Sequence, residues 1–262
     1  MSFIGVPIIN GFVLALLLAV LSTGCSKNSN DIQKELLVAA AANLQPAFAE
    51  LADKYGQNTG VKITVTYGSS GTLATQIANG APIDLFASAS QKFIDDLKGK
   101  GLITEGSDRP FAVGRLVLAT NSRSGLQVKE LQDILRPEVK KIAIANPQVA
   151  PFGAAAREAL SRAGLWENIQ DKVVYSENVG QALQYLMTGN VEGSFISLPD
   201  ANVPGVSYLL VDQALYSPII QSMAIIRGTR HEAEAKAFES YILGPEGVAA
   251  LKKYGYRVLG EP

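Results

Sequence analysis

Short apolar runs, each followed by a loop and then a helical period, recur along this chain and limit its fold more than any other feature. Leu36-Leu37-Val38-Ala39-Ala40 is a continuous apolar run of the kind buried on both faces of a parallel sheet. Leu44, Ala47, Phe48, Leu51 and Tyr55 follow at helical spacing. Asn43 is placed for an N-cap, and Pro46 falls in the first turn, where its missing N–H costs nothing. Residues 61–66 read as the next strand, residues 73–79 as the next helix, and Ile83-Asp84-Leu85-Phe86-Ala87 as a third strand. The order βαβαβ is that of strands joined by crossover helices.

The same order returns further on. A helix over residues 91–98 leads to an apolar strand over residues 111–120. Then come a strand (141–145), a loop (146–153), an alanine-rich helix (154–163), a strand (172–175), a helix (179–188) and a strand (193–197). Two α/β lobes of similar plan result, each expected to be a mostly parallel sheet flanked by helices. Residues 219–227 read as a strand, and residues 231–243 and 246–254 as helices, too little chain for a third domain. These helices are expected to pack back on the first lobe. The chain then crosses between lobes twice, near residues 113–120 and 219–226, which makes a two-strand hinge with a cleft between the lobes. Residues 35–113 and 225–262 fall in the first lobe, and residues 114–224 in the second.

With 262 residues, 18% of them charged, and a net charge of −1, the chain lacks the basic surface that nucleic acid requires. An anion bound here must be held locally. Residues 1–24 carry no charge, and residues 11–21 are almost wholly apolar, too short to span a bilayer but suited to an export signal. The run ends in Leu21-Ser22-Thr23-Gly24-Cys25, whose cysteine is the only one, so no intramolecular disulfide forms. This segment resembles a lipoprotein signal, in which Cys25 is lipidated and begins the mature chain, with residues 25–34 as a polar tether. The start lacks Lys and Arg, and Ser22 stands where a larger aliphatic residue is usual. An ordinary cleaved signal, or an uncleaved anchor with an inert thiol, is the alternative.

Four loops lie where a strand tip meets a helix start: around Asn43, Ser70, Phe152-Gly153 and Val179. The second is Gly68-Ser69-Ser70-Gly71, in which glycines permit a tight bend and serines offer hydroxyls beside free amides. The first N–H groups of a helix lack internal partners and carry partial positive charge, so such junctions can cradle an anion. Two readings stay open for each on these grounds: Asn43 as a plain cap, Ser70 as turn chemistry, and Gly153 and Val179 as loop and core, or all as ligand contacts. Asp84 and Glu177 lie near these loops and either touch the ligand, face solvent or brace the structure. Donors without an acceptor suit a fully deprotonated dianion; among such anions cavity size would decide.

Enzyme chemistry finds little material. The one histidine, His231, opens a charged helix, no lysine follows the Gly-rich loop as in a nucleotide P-loop, and one His with one Cys make no zinc set. A serine-type hydrolase and a lipid-anchored module without a small ligand remain as other classes.

Ala40-Ala41-Ala42-Asn43-Leu44, Gly68-Ser69-Ser70-Gly71-Thr72-Leu73, residues 80–89, Asn146-Pro147 with Pro151-Phe152-Gly153, and Glu177-Asn178-Val179 resemble the periplasmic molybdate-binding proteins of ABC importers. The resemblance covers nearly all of the mature chain, down to Tyr254-Gly255-Tyr256. It implies a two-lobed periplasmic binding protein of type II, exported and monomeric, that encloses molybdate or tungstate. It would need no cofactor and would deliver the anion to a membrane permease, held at the membrane surface through Cys25. A sulfate or other tetrahedral oxyanion is the alternative cargo. By the same resemblance Asn43, Ser70, Phe152 and Val179 contact the ligand, with Asn43, Ser70 and Val179 touching the oxygens of the metal oxyanion and not the metal. Some relatives place a tyrosine where this strand ends in Phe195-Ile196-Ser197; by that position Ser197 is a further candidate ligand contact, but it is shorter, and either reaches the ligand or leaves the site without that contact.

Overall fold

The computed structural model describes residues 1–3 and 35–260, so Cys25, the tether and nearly all of the expected signal lie outside the described residues. In chain order the regular elements begin with β1 (Glu35–Ala41), α1 (Gln45–Thr59), β2 (Lys62–Gly68), α2 (Ser70–Ala78), β3 (Leu85–Ser88) and α3 (Gln91–Gly99). Next come β4 (Arg109–Gly114), β5 (Leu116–Asn121), β6 (Ile142–Ala145), α4 (Pro151–Arg162), α5 (Trp166–Ile169), β7 (Val173–Ser176), α6 (Val179–Met187) and β8 (Gly193–Ser197). The last are α7 (Leu198–Ala201), β9 (Val206–Leu210), β10 (Ile219–Ile225), α8 (Glu232–Leu243), α9 (Pro245–Lys253) and β11 (Arg257–Val258). Among the described residues no helix is long and apolar enough to cross a membrane.

The strands form two sheets, ordered β11-β4-β10-β3-β1-β2 and β7-β6-β8-β5-β9. Each is mixed instead of mostly parallel. Parallel pairing joins β1 to β2 and β3 in the first sheet, and β6 to β7 and β8 in the second. The remaining pairs, β10 with β3 and β4, β11 with β4, and β5 with β8 and β9, are antiparallel. In β1, Val38 and Ala40 join one apolar cluster while Ala39 joins the other, under α2 and α3. That alternation buries both faces of the strand. Burial of Phe48, Phe86, Phe111 and Phe238 anchors the first lobe, each fully buried side chain contributing roughly 1.5–3 kcal/mol. Helices α8 and α9 pack against α1.

The apolar run over residues 111–120 is two strands of different sheets, parted at Arg115. The return passage comes earlier than the sequence suggests. Strand β10 lies wholly in the first sheet, so its residues 219–224 do not belong with the second lobe. The second connection is therefore the loop after β9, with a short 3-10 turn at Gln213–Leu215, and not a second strand. Ile219 pairs with Gly114, which sets the two passages side by side. The Leu116 amide donates to the Tyr216 hydroxyl (3.1 Å), and the Val211 amide donates to the Leu116 carbonyl (3.1 Å), tying them together.

Helix α4 starts at Pro151, three residues before the alanine run, because proline fits the first turn. Gly153 makes this approach possible. A Cβ there would stand 1.8 Å from the Ala145 carbonyl oxygen. Gly153→Ala is thus expected to destabilise the fold by about 2 kcal/mol or more, read by urea unfolding; parental stability would contradict the close approach.

Candidate functional site

The strand–helix junctions of both lobes meet at one small cavity. Ala41, Ala42 and Asn43 bound it after β1; Gly68, Ser69 and Ser70 after β2; and Ala89 after β3. Ala150, Pro151 and Phe152 close it from the start of α4, and Asn178 and Val179 from the start of α6. None of these lining residues is Lys, Arg, His, Asp or Glu. A larger open groove runs along α1 and the edge strand β2, but it gathers no helix start. The smaller cavity is where the donors are.

Three of the helix starts around it lack a side-chain cap: Ala41 before the 3-10 turn at Ala42–Leu44, Ser69 before α2, and Ala150 before α4. Uncapped first-turn N–H groups need another acceptor. At α6 the Asn178 carboxamide oxygen accepts from the Gln181 amide (3.1 Å), leaving the Val179 N–H as a first-turn donor at the cavity. Ser70 is fully buried, and its Oγ accepts from the Ala89 amide (2.9 Å). With a lone pair so engaged, the hydroxyl proton is the free valence.

Asn43 is buried in the 3-10 turn instead of capping α1, whose N-cap is Leu44. Its Nδ2 donates to Gln221 Oε1 (2.8 Å) and to the Tyr256 hydroxyl (2.9 Å), and that hydroxyl donates to the Asn43 carbonyl (2.6 Å). Gln221 in turn donates to the Ile219 carbonyl (3.0 Å). Both carboxamide protons are thereby engaged, so the Asn43 donor left for a guest is its backbone N–H. Gln221 and Tyr256 escape sequence reading because they lie 178 and 213 residues away from Asn43.

Phe152 turns its ring inward: a Cβ on Gly114 would lie 2.8 Å from it. Ser197 does not line the cavity. Its Oγ donates to Asp200 Oδ2 (2.5 Å) and accepts from the Asp200 amide (3.3 Å), capping α7. The pattern Ser197-Leu198-Pro199-Asp200 is itself a helix-start signature. Asp84 stands elsewhere, accepting from the Leu37 amide (2.7 Å) and the Thr229 hydroxyl, with His231 Nδ1 at 3.3 Å. Glu177 is exposed and lies outside the cavity. Among the described residues no cluster of His, Cys, Asp and Glu is suited to a metal ion.

Residues 36–257 match the family model of bacterial extracellular solute-binding proteins. The molybdate-binding protein ModA of Rhodobacter capsulatus is 33% identical over 85% of this chain and 88% of its own. A Bacillus subtilis protein, provisionally named the ABC transporter substrate-binding lipoprotein YvgL, is 34% identical over 94% of this chain and 96% of its own. Among solved structures, the periplasmic molybdate-binding protein of Azotobacter vinelandii superposes with a TM-score of 0.80 at 33% identity. It covers 84% of this chain and 98% of that one. The chain belongs to the bacterial extracellular solute-binding proteins, among their molybdate-binding members. That family binds and carries solutes; its members are not enzymes. Within this family, His231 and Ser70 need no catalytic partnership, and they line separate cavities.

Two outcomes follow from the site's chemistry. Ser70→Ala should weaken anion binding and also lower stability by about 1–3 kcal/mol, because the Ala89 amide loses its buried acceptor. Calorimetric titration and urea unfolding read the two effects separately. Burial pushes the Asp200 carboxyl up to about 7, against the hydrogen bonds of Ser197, which favour the ionised form. An acid whose folded pKa lies above its unfolded value holds its proton more tightly when folded. Stability therefore falls as pH rises from about 4 to about 7, by up to about 4 kcal/mol, and is level above. Asp200→Asn should remove that part of the slope; identical pH profiles for the two chains would contradict it.

Proposed function

We propose that this chain captures molybdate, or its congener tungstate, outside the cytoplasm and hands it to the permease of an ABC importer. The anion sits between the lobes, held by the Ser70 hydroxyl and by backbone amides at Asn43, Ser70, Phe152 and Val179. No resident cofactor is invoked, and the chain works as a monomer. One observation carries this reading: uncapped helix starts from both lobes converge on a cavity with neither cation nor carboxylate in its lining. Charge-assisted hydrogen bonds are about twice as strong as neutral ones, and about half a dozen suffice for micromolar affinity or better. A protonated anion such as hydrogen phosphate would present a donor to this all-donor site and find no acceptor. The molybdate-binding relatives support the choice of cargo.

Titration calorimetry with molybdate, tungstate, sulfate and phosphate tests the proposal. Micromolar or tighter binding of molybdate and tungstate, with none of phosphate, is expected. Tighter binding of sulfate would make sulfate the cargo, and no binding of any would remove the transport role. Cys25 is proposed as the lipid attachment point that tethers the domain at the membrane surface, in line with the lipoprotein name of the Bacillus relative. Cys25→Ser should release the chain from the membrane fraction of cells expressing it; unchanged membrane association would contradict lipidation there.

A further inference from the structure

One direct backbone link joins the lobes beside the cavity. The Gly71 amide, second in α2, donates to the Val149 carbonyl in the loop between β6 and α4 (2.8 Å). Their immediate neighbours, Ser70 and Ala150, both line the cavity. The carbonyl is firmly presented. The Val149 and Ala150 amides donate to the Asn146 carbonyl (3.2 and 2.8 Å), the Gln148 amide to Asn146 Oδ1 (3.0 Å), and the Asn146 amide to the Ser176 carbonyl (2.8 Å).

Gly71 is not a glycine for conformational reasons, since its φ is not among the positive ones. A glycine inside a helix costs about 1 kcal/mol relative to alanine, so space must justify it. A Cβ there would stand 2.9 Å from Val149 Cα across the cleft, and 2.9 Å from the Phe93 ring in its own lobe. The hydrogen bond pulls the lobes together at this point, and the bare Cα lets them come that close.

We propose that Gly71 and the Val149 carbonyl form a clasp that sets how near the lobes approach and hence the size of anion the closed cavity holds. This rests on the oxyanion-capture reading above, and assigns Gly71 as a positioning residue that need not touch the ligand. A methyl group at position 71 would wedge the lobes apart, so amides set for one tetrahedral anion would no longer reach it together.

The test removes the clash within the first lobe. Phe93→Ala gives a methyl group room against α3, so in Gly71→Ala/Phe93→Ala the remaining obstruction is Val149. Phe93→Ala alone should bind molybdate within about twofold of the parent. The double variant should bind at least about tenfold more weakly while its unliganded Tm matches that of Phe93→Ala. Equal affinity in the two variants, or a loss that only tracks a lower Tm, would overturn the clasp. A parent that binds no oxyanion would instead contradict the capture reading. The clasp is then judged by amide hydrogen exchange at residue 71, expected to be slow in Phe93→Ala and fast in the double variant, with equal rates overturning it.

Discussion

A helix cannot satisfy its own first N–H groups, and here three helical starts facing one cavity do without the side-chain caps that would ordinarily do so. Most of the architecture can be understood as the means of placing those donors. Parallel strands β1, β2 and β3 bring their tips to one edge of the first sheet, and β6 and β7 do the same in the second. Small residues at the junctions then let backbone come close. Gly153 allows the start of α4 to lie on the Ala145 carbonyl, and Gly71 allows α2 to reach the opposite lobe. The donors at the cavity are thus mainly backbone amides, with Ser70 as the side chain that adds a hydroxyl proton to them.

Around this cradle the polar side chains act as braces. Tyr256, near the end of the chain, both donates to and accepts from Asn43, while Gln221 of β10 holds the other carboxamide proton. Burial raises the Tyr256 hydroxyl well above the ordinary phenol range, with the nearby Asp200 carboxyl adding to the effect, so it stays a neutral donor. Asp200 and Ser197 satisfy each other at the start of α7. The bonds of Tyr256 and Gln221 join the chain's end and β10 to the loop at Asn43. They fix its backbone without supplying charge to the cavity.

Much of this can be read in the sequence, for local reasons. Continuous apolar runs, helical spacing and Gly/Ser junctions are short-range signals, and they place Asn43, Ser70, Phe152 and Val179 at strand–helix boundaries. What escapes is long-range. Gly114-Arg115 is the one interruption in the apolar run over residues 111–120, too short a break to announce two sheets, and β9 is a half-exposed edge strand with weak alternation. Whether β10 belongs to one sheet or the other depends on partners over a hundred residues away. Ser197 is a different case: Asp200 three residues on carries the cap signal, which outweighs position on the strand tip.

The central claim is that donors from two lobes surround one small dianion. Anomalous scattering at the molybdenum edge from crystals grown with molybdate tests it most directly. A single strong peak inside the cavity, within hydrogen-bond reach of the Ser70 hydroxyl and the amides of Asn43 and Val179, is predicted. A peak elsewhere, or an empty cavity in protein saturated with molybdate, would contradict it.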